Sequence, residues 1–219
     1  MHPVISRFVC AVALVASALG IDVASVQAAT DAQAPVAAPE LRVGDRWVYH
    51  VIDGYRQKIE WDETHEIVAI DANAITVAVK AKGGGKETSR TEIWSAPGVV
   101  RSGAIFESET DRFDPPLIRY PFPMVVGSKW SQRVRNLDKP PGPYGPISYQ
   151  AAVRGRESVT TPAGTFDALR VRYVMRLDDE SLSQKATECD YLVWYAPSVG
   201  AMVREQKRSH SVQKSSRSP

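Results

Sequence analysis

The densest cluster of groups able to move protons lies between residues 60 and 66, where Glu60, Asp62, Glu63 and Glu66 surround His65. An imidazole held by a carboxylate can act as a general base, so acid–base chemistry is the first function to weigh here. The spacing favours a plainer reading. Neighbours on a strand alternate between its two faces, and a charged, solvated strand edge accounts for the same residues. Three arginines further on, Arg170, Arg172 and Arg176, project from one side of a strand. Alternate side chains there stand about 6.6 Å apart, so two guanidinium groups could grip one phosphate or carboxylate. Acids on the next strand, Glu188 and Asp190, would balance them equally well.

Other chemistries lack their residues. His50, His65 and His210 show no zinc-ligand spacing, there is no Gly-x-Ser-x-Gly elbow, and Gly83 to Gly85 sits between strand patterns, not before a helix. Neither a metal nor a cofactor is expected. Of two cysteines, Cys10 lies in the N-terminal leader and Cys189 alternates with Tyr191 and Val193, which reads as a small buried apolar residue. A net charge of +2 from 27 basic and 25 acidic residues gives no field that would recruit nucleic acid, and aromatics do not interleave with the arginines.

These residues need elements to position them, and the mature chain reads as strands throughout. Period-two runs cover Trp47 to Val51, Ile67 to Ile70, Ile75 to Lys80 and Thr88 to Trp94, separated by turn residues. A second set includes Trp130 to Arg135, Ile147 to Arg154, and Leu169, Val171, Tyr173, Met175 and Leu177 on one face. Thr161-Pro-Ala-Gly-Thr165 reads as a hairpin turn between them. Two motifs recur: Val43-Gly44-Asp-Arg-Trp47 is echoed by Val126-Gly127-Ser-Lys-Trp130, and Trp94-Ser-Ala-Pro97 by Trp194-Tyr-Ala-Pro197. The fold class this predicts is all-β, an antiparallel meander with an internal two-fold repeat, curved into a sandwich or partly open barrel. Trp94 and Trp194 are expected at equivalent buried positions.

The segment from Gly103 to Val125 holds Phe106, Phe113, Tyr120, Phe122 and four prolines. Prolines disfavour regular central strands, so a packed aromatic loop is expected, serving as a ligand lid or as a cap over an open end of the sheet. At the N-terminus, Arg7 precedes an apolar run from Phe8 to Leu19, shorter than the ~20 residues a spanning helix needs, and Val26 and Ala28 suit a signal peptidase. The organisation expected is a signal peptide over 1–28, a disordered linker over 29–40, a β domain over 41–206 made of halves 41–102 and 123–206, and a disordered basic tail over 207–219. The mature chain should then be soluble and periplasmic, or alternatively secreted, with no membrane span.

The Gly-x-x-Trp openings, Val159-Thr-Thr-Pro-Ala-Gly-Thr-Phe-Asp-Ala-Leu-Arg-Val171 and Trp194-Tyr-Ala-Pro-Ser-Val-Gly-Ala-Met-Val-Arg204 resemble the DUF3108-like, or TapB-like, proteins of the bacterial envelope. The likeness is best over residues 123–206. It implies an exported antiparallel β protein and brings no catalytic residues. The function expected is non-enzymatic binding of a lipid-like ligand, a polymer or a protein partner on a curved sheet. Candidate binding residues are Phe106, Phe113, Tyr120, Phe122, Arg170, Arg172 and Arg176. The alternative is an exported enzyme of hydrolase class with a site assembled from dispersed residues. A cleft joining His50 or His65 to carboxylates would favour it.

Overall fold

The computed structural model describes residues 34–53, 59–105, 110–138, 144–179 and 185–213, all within one compact unit. The signal-peptide expectation and Phe106 lie outside them. The strands are β1 (Arg46–Asp53), β2 (Ile59–Ile70), β3 (Ile75–Gly83), β4 (Lys86–Ala96), β5 (Val99–Gly103) and β6 (Asp111–Ile118). They continue with β7 (Lys129–Asn136), β8 (Tyr144–Thr161), β9 (Gly164–Asp179), β10 (Lys185–Ala196) and β11 (Ala201–Gln213). Each pairs antiparallel with the next, giving one eleven-stranded meander curled into a nearly closed barrel. Of the two shapes expected, the partly open barrel is the one formed.

Alternation builds the interior. On β3, Ile75, Val77, Val79 and Ala81 are buried while the residues between them are more exposed. The same inward phase brings Tyr149, Tyr173 and Tyr191 together on β8, β9 and β10. Their ring centroids lie 5.4 and 4.7 Å apart, the second pair stacked. A smaller cluster, Val159, Ala168, Trp194 and Ala196, packs on the opposite face of β10.

The repeated openings share one hydrogen-bond pattern. Gly44 N–H donates to Ile67 O at 2.8 Å and Gly127 N–H to Val153 O at 2.9 Å, while Ile67 N–H and Val153 N–H return to Asp45 O and Ser128 O. Both glycines take positive φ, 95° and 88°, which a side chain would resist. The ladder slips just beyond each acceptor, between Ile67 and Ala69 and between Val153 and Gly155. Trp47 and Trp130 follow as second residues of β1 and β7, and five strands lie on either side of β6. The closing motif is out of phase. Trp94 faces the interior beside Glu92, whereas on β10 Val193 and Tyr195 face inward and Trp194 turns outward. Trp94 and Trp194 are therefore not equivalent. The register breaks around Trp94 shift one strand relative to the other.

Three expectations about loops need correcting. The 103–125 segment contains β6 despite Pro115 and Pro116. The prolines fall where the ladder to β5 is interrupted, and towards β7, where pairing covers only Phe113 and Asp114, a side chain bridges the strands. Ile118 N–H donates to Gln132 Oε1 at 3.0 Å, and Gln132 Nε2 donates to Pro116 O at 2.6 Å. The 29–40 linker is tied down within its described part, since Val36 exchanges backbone bonds with Met124 and is buried. The basic tail is paired as far as Gln213, because backbone bonds to β10 hold a strand whose side chains bury little.

Candidate functional site

The aromatic candidates pack inward. Phe113 is buried in the main core, and Tyr120 and Phe122 press against Tyr195 with centroids 5.1 and 5.4 Å away. Gly98 makes this approach possible, since a Cβ there would lie 2.8 Å from Tyr120 O. The adjoining backbone is fixed by Arg119 and Tyr120 N–H groups donating to Gly98 O.

The arginine face is answered by acids. Arg172 grips both oxygens of Asp190, with its closest contact at 2.7 Å, and Arg170 donates to Glu157 at 3.1 Å. Glu188 sits across from Arg176 in the ladder. Trp194 Nε1 donates to the other oxygen of Glu157, and the Arg204 guanidinium lies over the Trp194 ring.

The convergent polar site lies inside the barrel, where Glu63 and His65 of the 60–66 cluster meet Arg90 and Glu92 of β4 and Arg119, three residues the sequence pattern had not singled out. Period two divides the 60–66 cluster. Glu60 and Asp62 meet His50 on the exposed outer face, while Glu63 and His65 turn inward. His65 Nε2 meets Glu63 Oε1 at 2.6 Å, and its ring stands edge-on to Tyr49 at 5.2 Å. Arg90 holds both oxygens of Glu63, at 3.0 and 3.3 Å, and donates to Glu92 at 3.2 Å. Trp94 Nε1 donates to the other Glu92 oxygen, which faces Arg119 at 3.8 Å. Burial would raise the Glu63 pKa, but the His65 and Arg90 hydrogen bonds and charges outweigh it and hold the carboxyl down at about 2. Burial opposes ionisation of Glu92 in the same way, and Arg119 and Arg90 reverse it, so that carboxyl is also lowered. The available signal was phase: Arg90 and Glu92 share the face of Trp94 at a spacing of two.

The arrangement is suited to holding charge rather than moving it. Each oxygen of the Glu63–His65 pair already has an arginine, and the imidazole is packed against Tyr49. Cys189 lies elsewhere in the core, where burial pushes its thiol up to about 12 and suppresses the thiolate.

The remaining feature is the seam between the two end strands. Within the described sheet β1 and β11 are not neighbours. Trp47 Nε1 spans one end of the seam to Val199 O at 3.2 Å, beside a hollow of about 360 Å³ between 39–47 and 197–200. Val48 and Ile52 are 57% and 55% exposed on β1, and β11 exposes Arg204 to His210. Glu205 lines the seam and accepts a 3.5 Å bond from the Tyr173 hydroxyl. Desolvation on the barrel side raises its carboxyl, against the opposing pull of Arg119, Lys207 and the Tyr173 hydrogen bond.

The DUF3108-like family model matches residues 149–218, from within β8 to beyond β11, and over that stretch the chain is similar to it. No curated protein matches the chain. The crystal structure of a Bacteroides fragilis NCTC 9343 protein with a YmcC-like fold is similar, with a TM-score of 0.46 and 15% identity over 83% of this chain and 98% of that one. No helix among the described residues is long and apolar enough to cross a membrane.

Proposed function

We propose that this is an exported, soluble, non-enzymatic binding protein of the bacterial envelope, working in the periplasm and holding its partner on the outside and open seam of its barrel. One observation carries this reading: the inward face is occupied by the protein's own groups. The Tyr149–Tyr173–Tyr191 ladder fills one side, and the Glu63–Arg90–Glu92–Arg119 network satisfies itself on the other. A lipid-like ligand on the concave face would have to displace packed rings and paired charges, each at a cost of several kcal/mol, on the order of a whole domain's stability. Contacts made from the outside or along an edge carry no such cost.

The catalytic alternative requires His50 or His65 to face a cleft with its carboxylate. His50 meets Asp62 and Glu60 on an exposed face, and His65 is locked by packing. Export rests on the Arg7 to Ala28 leader pattern. Native mass spectrometry of protein purified from its own envelope tests the reading: a co-purifying partner supports binding. Release of a small product from envelope extracts, abolished by His65→Ala, would replace it with catalysis. Edman sequencing should begin at Ala29 or Thr30, and Met1 on exported protein would overturn cleavage.

A further inference from the structure

Eleven antiparallel strands cannot close a barrel in their own pattern. Every step of the meander reverses direction, so β1 and β11, both odd-numbered, run the same way. Pairing them directly would require a parallel ladder, whose bonds slant differently from all the others. One additional strand, antiparallel to both, continues the alternation and closes the sheet with an even number.

We propose that the seam between β1 and β11 is a docking slot for a single extended segment of a partner protein, with acidic side chains on its outward face. This deepens the binding function proposed above and rests on it. The two edges differ in a way that selects the occupant. β1 carries neither lysine nor proline, and its outward row alternates Arg46 and His50 with Val48 and Ile52, His50 being held by Asp62 and Glu60. β11 presents Arg204, Gln206, Arg208 and His210 on its outward side, all exposed. Asp190, the cross-strand neighbour of Arg208, is already held in two-pronged fashion by Arg172. An inserted strand would place its outward side chains between a mixed row, Arg46, Val48, His50 and Ile52, and a basic row. Carboxylates with long stems suit both. Backbone bonds to two edges would supply affinity, as in strand addition generally, and the arginines would supply selectivity.

A second copy of this chain fits poorly. Antiparallel pairing of β11 with itself about Lys207 would set Arg204 against His210 and Gln206 against Arg208, with no acid on the outward row to meet them.

The test uses the full mature chain and two blocked decapeptides, one alternating glutamate with threonine and the other lysine with threonine. Binding is followed by tryptophan fluorescence, because Trp47 bridges the seam, and by hydrogen exchange. The glutamate peptide should bind about tenfold more tightly than the lysine peptide, several cross-strand charge pairs contributing. It should also slow exchange in both 46–53 and 201–213. The R204E/R208E variant should reverse the preference. If that variant does not fold, the single Arg208→Ala change and the weakening of wild-type binding by added salt carry the same test. Equal affinity for the two peptides, protection of only one edge, or protection of both edges in the free protein would each overturn the slot. So would a dimer with both edges protected. Failure of both peptides while native mass spectrometry still finds a partner would overturn the slot and leave the binding function standing.

Discussion

Glu92 shows how much one side chain can decide. It is 1% exposed, on a strand whose neighbours are mostly apolar, and it joins Arg90, Arg119 and the Trp94 indole. Removing one member of a buried ion cluster leaves the others without a partner, which costs about 3–5 kcal/mol. Glu92→Ala should therefore lower the urea midpoint strongly. A midpoint within error of wild type would show that the arginines find water instead. The two tryptophans should now separate. Trp194 is 6% exposed and its truncation should cost about 3–5 kcal/mol. Trp94 is only partly buried, and its Ala variant should lose less through packing and more through the orphaned Glu92 oxygen. Side-chain type at these positions was legible in the sequence, whereas facing was not. A one-residue slip in the ladder flips a strand's faces, and the slips around Trp94 leave no compositional mark.

The strands themselves were readable because alternation is a period, and β3 and β9 carry it cleanly. β6 was not, because its pairing comes from elsewhere. Gln132 on β7 accepts from Ile118 N–H and donates to Pro116 O, bridging the two strands where their backbone ladder stops at Asp114. Gln132→Leu should leave that amide and carbonyl unmet at about 1–3 kcal/mol each, and should speed hydrogen exchange at Ile118 relative to Leu117. Unchanged exchange would mean that the backbone ladder to β5 and packing hold this end of β6 without the Gln132 side chain. The aromatic segment gives a parallel test. Phe113 is 3% exposed in the main core, so Phe113→Ser should drop the thermal midpoint by many degrees, as a cap would and a lid would not. A variant that keeps its midpoint and loses a co-purifying ligand would restore the lid. The matched bonds at Gly44 and Gly127 support a proposed duplication of five strands, with β6 as the join. The motif echo pointed to it, and its closing half misled because Trp-x-Ala-Pro falls on different faces in the two copies.

At the scale of the whole molecule, the interior charges predict an uneven response to acid. Glu63 has its carboxyl lowered from 4.5 to about 2, and Glu92 is lowered as well, so both bind protons more readily in the unfolded chain. Their contribution to stability is fully present above about pH 4.5 and is lost as the pH falls through the lowered values. Glu205 is shifted the other way, with burial as its first cause, and is the group that folding discourages from ionising. Its penalty stands at neutral pH and is relieved as the pH falls through its raised value. The two effects occupy successive windows. Unfolding free energy should hold level or rise slightly as pH is lowered from 7 towards 5, then fall steeply below about 4.5. Glu205→Gln should reduce any rise and leave the fall, while Glu63→Gln should make the fall shallower. Urea titrations at half-unit pH steps would measure both. A wild-type curve that declines steadily from pH 7 would show that Glu205 is ionised without penalty at the open seam. The fall in acid would then be set by Glu63 and Glu92, with Asp190, lowered by its Arg172 hydrogen bonds, adding to it, and the seam would be wet enough to offer its edges to an incoming strand at little desolvation cost.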